Sequence, residues 1–362
     1  TILTFITGLS ATSAPLLVGG QGFQTITPMI LTFANNVSSR PLAALLALFL
    51  GVATIILLTI MIQIEKRGHY MSVSKVKTTI VKQKIRNPIL NVLAHVYAYL
   101  LFLIYVIPVA LVVLFSFTDS ATIASKHLTL SSFTLENYIS IFQKASSYKP
   151  FVVSIAYSAI AASFVAIIVL IACRILQKRK DRLGGALEYG LLIPWLLPTT
   201  LMALGLITTY NTPRVWMFNK VLTGTSVIML IGYIIIKIPF TLRMTKAAFF
   251  SLDDSLEDAA RNMGAKPFYT FMRVQLPIIL PTVLAIFALN FNGLLGDYDM
   301  SVFMYHPLNK PLGVYIKSLT DSETNADNAA LTFVYAVLMM IISAAVMYLV
   351  YGRGNKVDKN KD

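Results

Sequence analysis

Charge is scarce in this chain. Only 13% of its 362 residues are Asp, Glu, Lys or Arg, against 56% hydrophobic residues and a mean hydropathy of +0.72. No soluble domain of this length needs so apolar a composition, so the bilayer is the main solvent. Cysteine is nearly missing too: Cys173 stands alone, which excludes a disulfide within these residues and a cysteine-ligated metal centre. The four histidines, His69, His95, His127 and His306, lie apart without metal-ligand spacing and read as isolated interfacial or solvated side chains. No Gly-x-x-x-x-Gly-Lys-Ser/Thr loop offers backbone amides to a nucleotide phosphate, and there is no His-Glu-x-x-His. Nor does a Ser/His/Asp or Cys/His set converge on one membrane face, so an intramembrane enzyme is poorly supported. The short alternating strands that a membrane barrel requires are absent as well.

Long apolar runs are abundant instead. Crossing the hydrocarbon takes roughly 20 apolar residues, and such runs occupy 42–64, 93–117, 151–173, 187–208, 225–242, 276–296 and 330–351, with 1–17 borderline. They are expected to be helices, because lipid offers backbone amides no partner. The formal charge of +14 is distributed by topology rather than for nucleic acid. Lys66, Arg67, Lys75, Lys77, Lys82, Lys84 and Arg86 fill one loop, Arg174, Lys178, Arg179, Lys180 and Arg182 the next alternate one. Arg243, Lys246, Arg261, Lys266 and Arg273 follow, then Arg353, Lys356, Lys359 and Lys361, whereas the intervening loops are poorer. The positive-inside rule makes the rich set cytoplasmic, the C-terminus with it.

Residues 1–65 and 284–353 read as the same helix pair occurring twice. Each has an apolar helix leading into a glycine-containing outer segment (Gly8, Gly19, Gly20 and Gly22; Gly293 and Gly296). A second apolar span then ends in a basic flank. On that reading 1–65 closes a first, truncated repeat, 66–92 is a cytoplasmic basic linker, 93–352 is a complete six-helix repeat, and 353–362 is a cytoplasmic tail. Within the linker, Val73 to Ile85 has the pattern of an interfacial amphipathic helix.

The segment 243–275 is a polar hairpin between two apolar spans. Ser255 with Asp258 three positions on predicts a capping box and a helix start. Leu256, Ala259, Ala260 and Met263 then share one face, and Glu257, Asp258, Arg261 and Asn262 the other. Gly264 falls where a C-terminal cap takes positive φ, Pro267 opens a second short helix, and Pro277 is expected to separate that helix from the following span. Small residues, an adaptable methionine and a charged edge suit docking into a groove; the same signals also fit an ordinary surface loop.

Asp258-Ala259-Ala260, Gly264 and Val274-Gln275-Leu276-Pro277 together resemble the EAA loop of ATP-binding cassette importer permeases. Its pattern is Glu-Ala-Ala, three residues, Gly, nine residues, Ile, one residue, Leu-Pro. Every spacing agrees, with Asp258 for the Glu and Val274 for the Ile. The resemblance implies an all-α, polytopic membrane protein of the type I importer permease fold, here the C-terminal part of a tandem two-bundle permease in a bacterial cytoplasmic membrane. It implies two cytoplasmic ATPase subunits as partners, which carry the ATP and Mg, together with an extracytoplasmic solute-binding protein. The chain itself is expected to bind no cofactor. The coupling residues implied are Glu257, Asp258, Ala259, Ala260, Met263, Gly264, Leu276 and Pro277. Tandem fusion and the sequence Gly296-Asp297-Tyr298-Asp299 are similar to iron(III) permeases, then to polyamine and sulfate relatives.

For the transport path, Asn290, Gly293 and Asp297 fall on one helical face. They either line a cavity or serve interhelical hydrogen bonding and a wet helix end. Pro194, Trp195, Pro198 and Thr199 predict a kink in the 187–208 span. The loop 299–328, with Asp321, Glu323, Asn325 and Asp327, is long enough to meet a binding protein. A secondary carrier or channel without an ATPase is the alternative. It calls for ionisable residues in the spans, where the sequence offers Asp297 and, near span ends, Glu188 and Lys237.

Overall fold

The computed structural model describes residues 8, 11–18, 24–67, 85–125, 127–179, 181–213, 215–217, 219–253, 255–320 and 328–352. Gly19, Gly20 and Gly22, the linker from 68 to 84 with most of its expected amphipathic helix, the acidic stretch 321–327 and the tail 353–362 lie outside them. No strand occurs among the described residues. The main helices are α1 (Ile26–Asn35), α2 (Arg40–Arg67), α3 (Pro88–Ser116), α4 (Glu136–Gln143), α5 (Ala145–Lys178), α6 (Arg182–Leu192), α7 (Thr199–Tyr210), α8 (Ser226–Phe250), α9 (Ser255–Asn262), α10 (Leu276–Leu295), α11 (Leu312–Thr320) and α12 (Ala329–Tyr351). Six helical segments are long and apolar enough to cross a membrane, and a bent pair makes up to seven.

The chain divides into two compact units, one of residues 1–59, 145–317 and 341–362, the other of 60–144 and 318–340. In the first, α5, α8 and α10 form the centre. Small residues Ser158, Ala161 and Ala162 are fully or almost fully buried on α5, which lets backbones approach where lipid supplies no hydrophobic drive between helices. Around them pack Tyr157, Ile228, Met229, Tyr233 and Leu294 in one cluster. Val165, Val169, Leu242, Phe249, Ile279 and Val283 make a second cluster nearer the basic ends of the helices. Ile30 and Ala34 of α1 meet Ala43, Ala47 and Leu50 of α2 in a third.

In the second unit, α3 starts at Pro88, five residues before the apolar run suggests. Asn87 caps it, its Oδ1 accepting from Ile89 N–H at 2.9 Å. Of its residues only Ser116 is buried, as befits a helix apolar on every side. Phe115 stacks at a tilt on Phe333, 5.5 Å between centres, and Ser120 Oγ accepts from Ala330 N–H at 3.3 Å.

Of two proline expectations, one holds and one is corrected. The 187–208 run bends where expected, and sharply: α6, with a 3-10 turn at Ile193–Leu196, and α7 meet at 107°. Pro194 and Pro198 each remove an N–H within four residues, so the ladder ends and restarts in a new direction. Pro277 shows the opposite. Pro267–Leu295 is one unbroken span, because Phe271–Gln275 widens into a π turn in which Leu276 N–H donates to Phe271 O. The wider register accommodates the proline without breaking the helix.

Candidate functional site

In the loop between α8 and α10, helix α9 begins at Ser255 as expected, but without the capping box. Ser255 is already helical, and Asp253 Oδ1 accepts from Ser255 N–H at 3.0 Å, so Ser255 is not the cap. The end is as expected. Gly264 has φ +80°, Gly264 N–H donates to Arg261 O at 2.9 Å, and Ala265 N–H to Ala260 O at 3.0 Å, the paired closure of a Schellman turn.

Two residues of α9, Glu257 and Ala260, depart from expectation. Glu257, placed by pattern on the exposed polar edge, turns inward with its side chain 13% exposed. Arg174 of α5 donates to it from both guanidinium nitrogens, at 3.1 and 3.3 Å, and Lys178 one turn on also bonds it. Buried Gln275 closes the ring, donating to Glu257 at 3.1 Å and accepting from Arg174 at 2.9 Å. Arg174 lies over the Phe271 ring as well. Burial alone would raise the Glu257 carboxyl, but hydrogen bonds from Arg174 and Lys178 and their two charges outweigh it and hold the group at about 2. Ala260, expected to face a partner, is also inward and 4% exposed. Glu257 and Ala260 are three apart and share the anchored face.

The other face is open. Ala259, Asp258 and Met263 are exposed, Met263 by 81%, and beside it Phe268, Tyr269 and Met272 are exposed too. Asp258 pairs only locally, with Arg261 at 3.5 Å. Leu276 packs half-buried on the second core cluster, and Pro277 sits exposed in the first turn of α10. Arg174, Lys178 and Gln275 were missed by sequence reasoning. Their signal was there: two cations four apart at the end of α5, opposite a lone Glu in the loop.

Of the path residues, Asn290 is buried and donates to Thr241 Oγ1 at 2.7 Å, an interhelical bond between α10 and α8. Asp297 accepts from Ser301 N–H at 3.0 Å and Met300 N–H at 3.3 Å at the start of the turn Ser301–Met304, and its side chain also meets Tyr233. Gly293 is exposed, and a Cβ there would lie 2.8 Å from Lys237 Nζ. Lys237 is not near a span end, since α8 continues to Phe250. Glu188 pairs with Lys246. At the opposite end from the loop, a cavity of about 730 Å³ is lined by Asn35, Arg40, Thr208, Asn211, Thr212 and Thr223 among others. Among the described residues no group of three or more His, Cys, Asp or Glu is placed to hold a metal ion.

A helical bundle with a capped, anchored loop of this spacing defines the permease class of membrane protein. The chain belongs to the family described as "Binding-protein-dependent transport system inner membrane component", whose family model matches residues 167–356. It is 36% identical over 351 residues to the "Probable ABC transporter permease protein y4fN" of Sinorhizobium fredii (strain NBRC 101917 / NGR234), covering 96% of this chain and 61% of that protein. The chain thus spans less than two thirds of that relative's length. It is 24% identical over 212 residues to the "Putative 2-aminoethylphosphonate transport system permease protein PhnV" of Salmonella paratyphi A (strain ATCC 9150 / SARB42), covering 59% of this chain and 78% of the relative. Among solved structures, a chain of a bacterial ABC transporter involved in the import of the acidic polysaccharide alginate superposes with a TM-score of 0.59 at 16% identity, covering 74% of this chain and 96% of that one. The fold is that of the type I ABC importer permeases.

Proposed function

We propose that this chain is the transmembrane part of a solute importer driven by two separate cytoplasmic ATPase subunits and fed by an extracytoplasmic binding protein. It sits in a bacterial inner membrane with its C-terminus cytoplasmic. ATP and Mg bind to the partners, and no nucleic acid is involved. The observation that carries this reading is α9, whose polar Glu257 is tied inward while Met263, Ala259 and the neighbouring Phe268 face outward. A loop that ties one carboxylate inward and leaves apolar side chains exposed beside charged ones suits docking in a partner's groove. Residues 1–65 are the closing helix pair of a first repeat and 93–352 a full second one, a division supported by the matching order of a short apolar helix and a long span.

The sequence placed iron(III) ahead of polyamine and sulfate. A phosphonate-transport relative and a cavity whose one charged lining residue among the described residues is Arg40 favour an oxyanion, and that is the solute class we assign. Reconstitution with the ATPase and binding protein tests the whole reading. Uptake into proteoliposomes requires ATP and stops in Gly264→Val; flux that proceeds without the ATPase overturns it in favour of a secondary carrier.

A further inference from the structure

Lys237 lies near the middle of the 25-residue span Ser226–Phe250, where an ammonium is costly unless something answers its charge. Its three N–H donors make no hydrogen bond and no ion pair within 4 Å among the described residues. Asp297 feels its field, but that carboxylate caps the turn at Ser301 instead of closing on the ammonium. One turn along, a chain of bonds fixes the position: Asn290 donates to Thr241 Oγ1, which donates to Lys237 O at 2.7 Å. Nζ reaches over Gly293, an exposed point on α10, where a Cβ would stand 2.8 Å away. A mid-span cation with no partner at bonding distance, beside an exposed glycine of the neighbouring span, is arranged to meet an anion.

We propose that Lys237 is the solute-binding residue of the transport path, its ammonium receiving the oxygens of a sulfate- or phosphonate-like oxyanion beside Gly293. The inference rests on the importer reading and adds the residue and its ligand chemistry. Charge-assisted hydrogen bonds of this kind persist where water is thin, and Lys serves as a point charge for a rotating oxyanion.

The test uses the whole permease with its ATPase and binding protein. In proteoliposomes given labelled sulfate or 2-aminoethylphosphonate separately, Lys237→Gln lowers uptake about tenfold or more, as loss of one charged contact requires. Lys237→Arg retains most of it, and Gly293→Leu blocks it as Lys237→Gln does. Cys173 is the only cysteine of this sequence, and a Cys173→Ser background, with any cysteine outside it also replaced by Ser, gives a second readout that does not need transport. Lys237→Cys is modified by an anionic, membrane-impermeant methanethiosulfonate, and the solute that is taken up slows the modification severalfold. Wild-type uptake by Lys237→Gln, or a Lys237→Cys unreactive with and without ATP, overturns the proposal while leaving the importer intact. Uptake of spermidine or ferric ion with neither oxyanion overturns the anion assignment alone. ATP-independent flux overturns the importer reading, and the labelling result then still decides whether position 237 faces water.

Discussion

Two places in this molecule keep charge near the membrane, and they treat it oppositely. At the basic end, Glu257, Arg174, Lys178 and Gln275 satisfy one another within a closed ring. In mid-span, Lys237 is positioned by its neighbours but answered by none of them at bonding distance. A charge that holds two elements together must be spent inside the protein, because an unpaired buried ion costs more than the bond returns. A charge meant for a transient guest must be left open and held still. The contrast separates an anchor from a binding group.

Breaking the anchor has the largest expected effect on stability. Glu257→Ala leaves Arg174, whose side chain is only 16% exposed, facing Gln275 without its carboxylate, and should cost about 3 kcal/mol. A matching fall in thermal midpoint in detergent checks it, with Lys178→Ala, at a half-exposed partner, costing about 0.5 kcal/mol. Gly264→Val comes next. A β-branched residue at φ +80° strains the turn by about 2 kcal/mol and displaces α9, read as lost co-purification with the ATPase. Asn290→Leu removes one interhelical bond in mid-membrane and should cost about 1 kcal/mol, while blunting uptake by loosening the register of Lys237. Acid unties the anchor without mutation. The Glu257 carboxyl is held below its ordinary value, so its contribution is complete above about pH 4.5 and is lost as the pH falls toward about 2. Amide exchange in Ser255–Asn262, corrected for intrinsic rate, should accelerate across that window and not between pH 6 and 8. Smallest of all on stability is Met263→Ala, within about 0.5 kcal/mol because the side chain is 81% exposed, yet it should weaken ATPase binding severalfold. Equal loss of stability in Met263→Ala and Glu257→Ala would erase the distinction between the two faces.

Much of this was legible in the residues. The membrane runs, the short loop helix and the left-handed Gly264 all follow from local pattern, since each depends on neighbours a few positions away. The inward turn of Glu257 and Ala260 did not, because an eight-residue helix shows which residues share a face and not which edge of it is buried. The assumption that polar residues point outward failed when Arg174 and Lys178, some eighty positions earlier, supplied partners for Glu257. Of the prolines, one pair marked its bend and one residue misled. Pro194 and Pro198 act together as a 107° break, and Pro277 is absorbed by a π turn that no spacing rule signals. Lys237 looked terminal because the hydrophobic run ends near 242, whereas the helix goes on for two more turns to Phe250.

The π turn at Phe271–Gln275 has a mechanical corollary. Because the helix runs without a joint from Pro267 to Leu295, the exposed Phe268 and Gly293 lie on one stiff rod, separated by about 38 Å at the usual rise per residue. Each degree by which that rod is tilted about one end sweeps the other by about 0.7 Å. A tilt of a few degrees set at the aromatic end is therefore carried along the span into a displacement at the far tip on the scale of an atom's width.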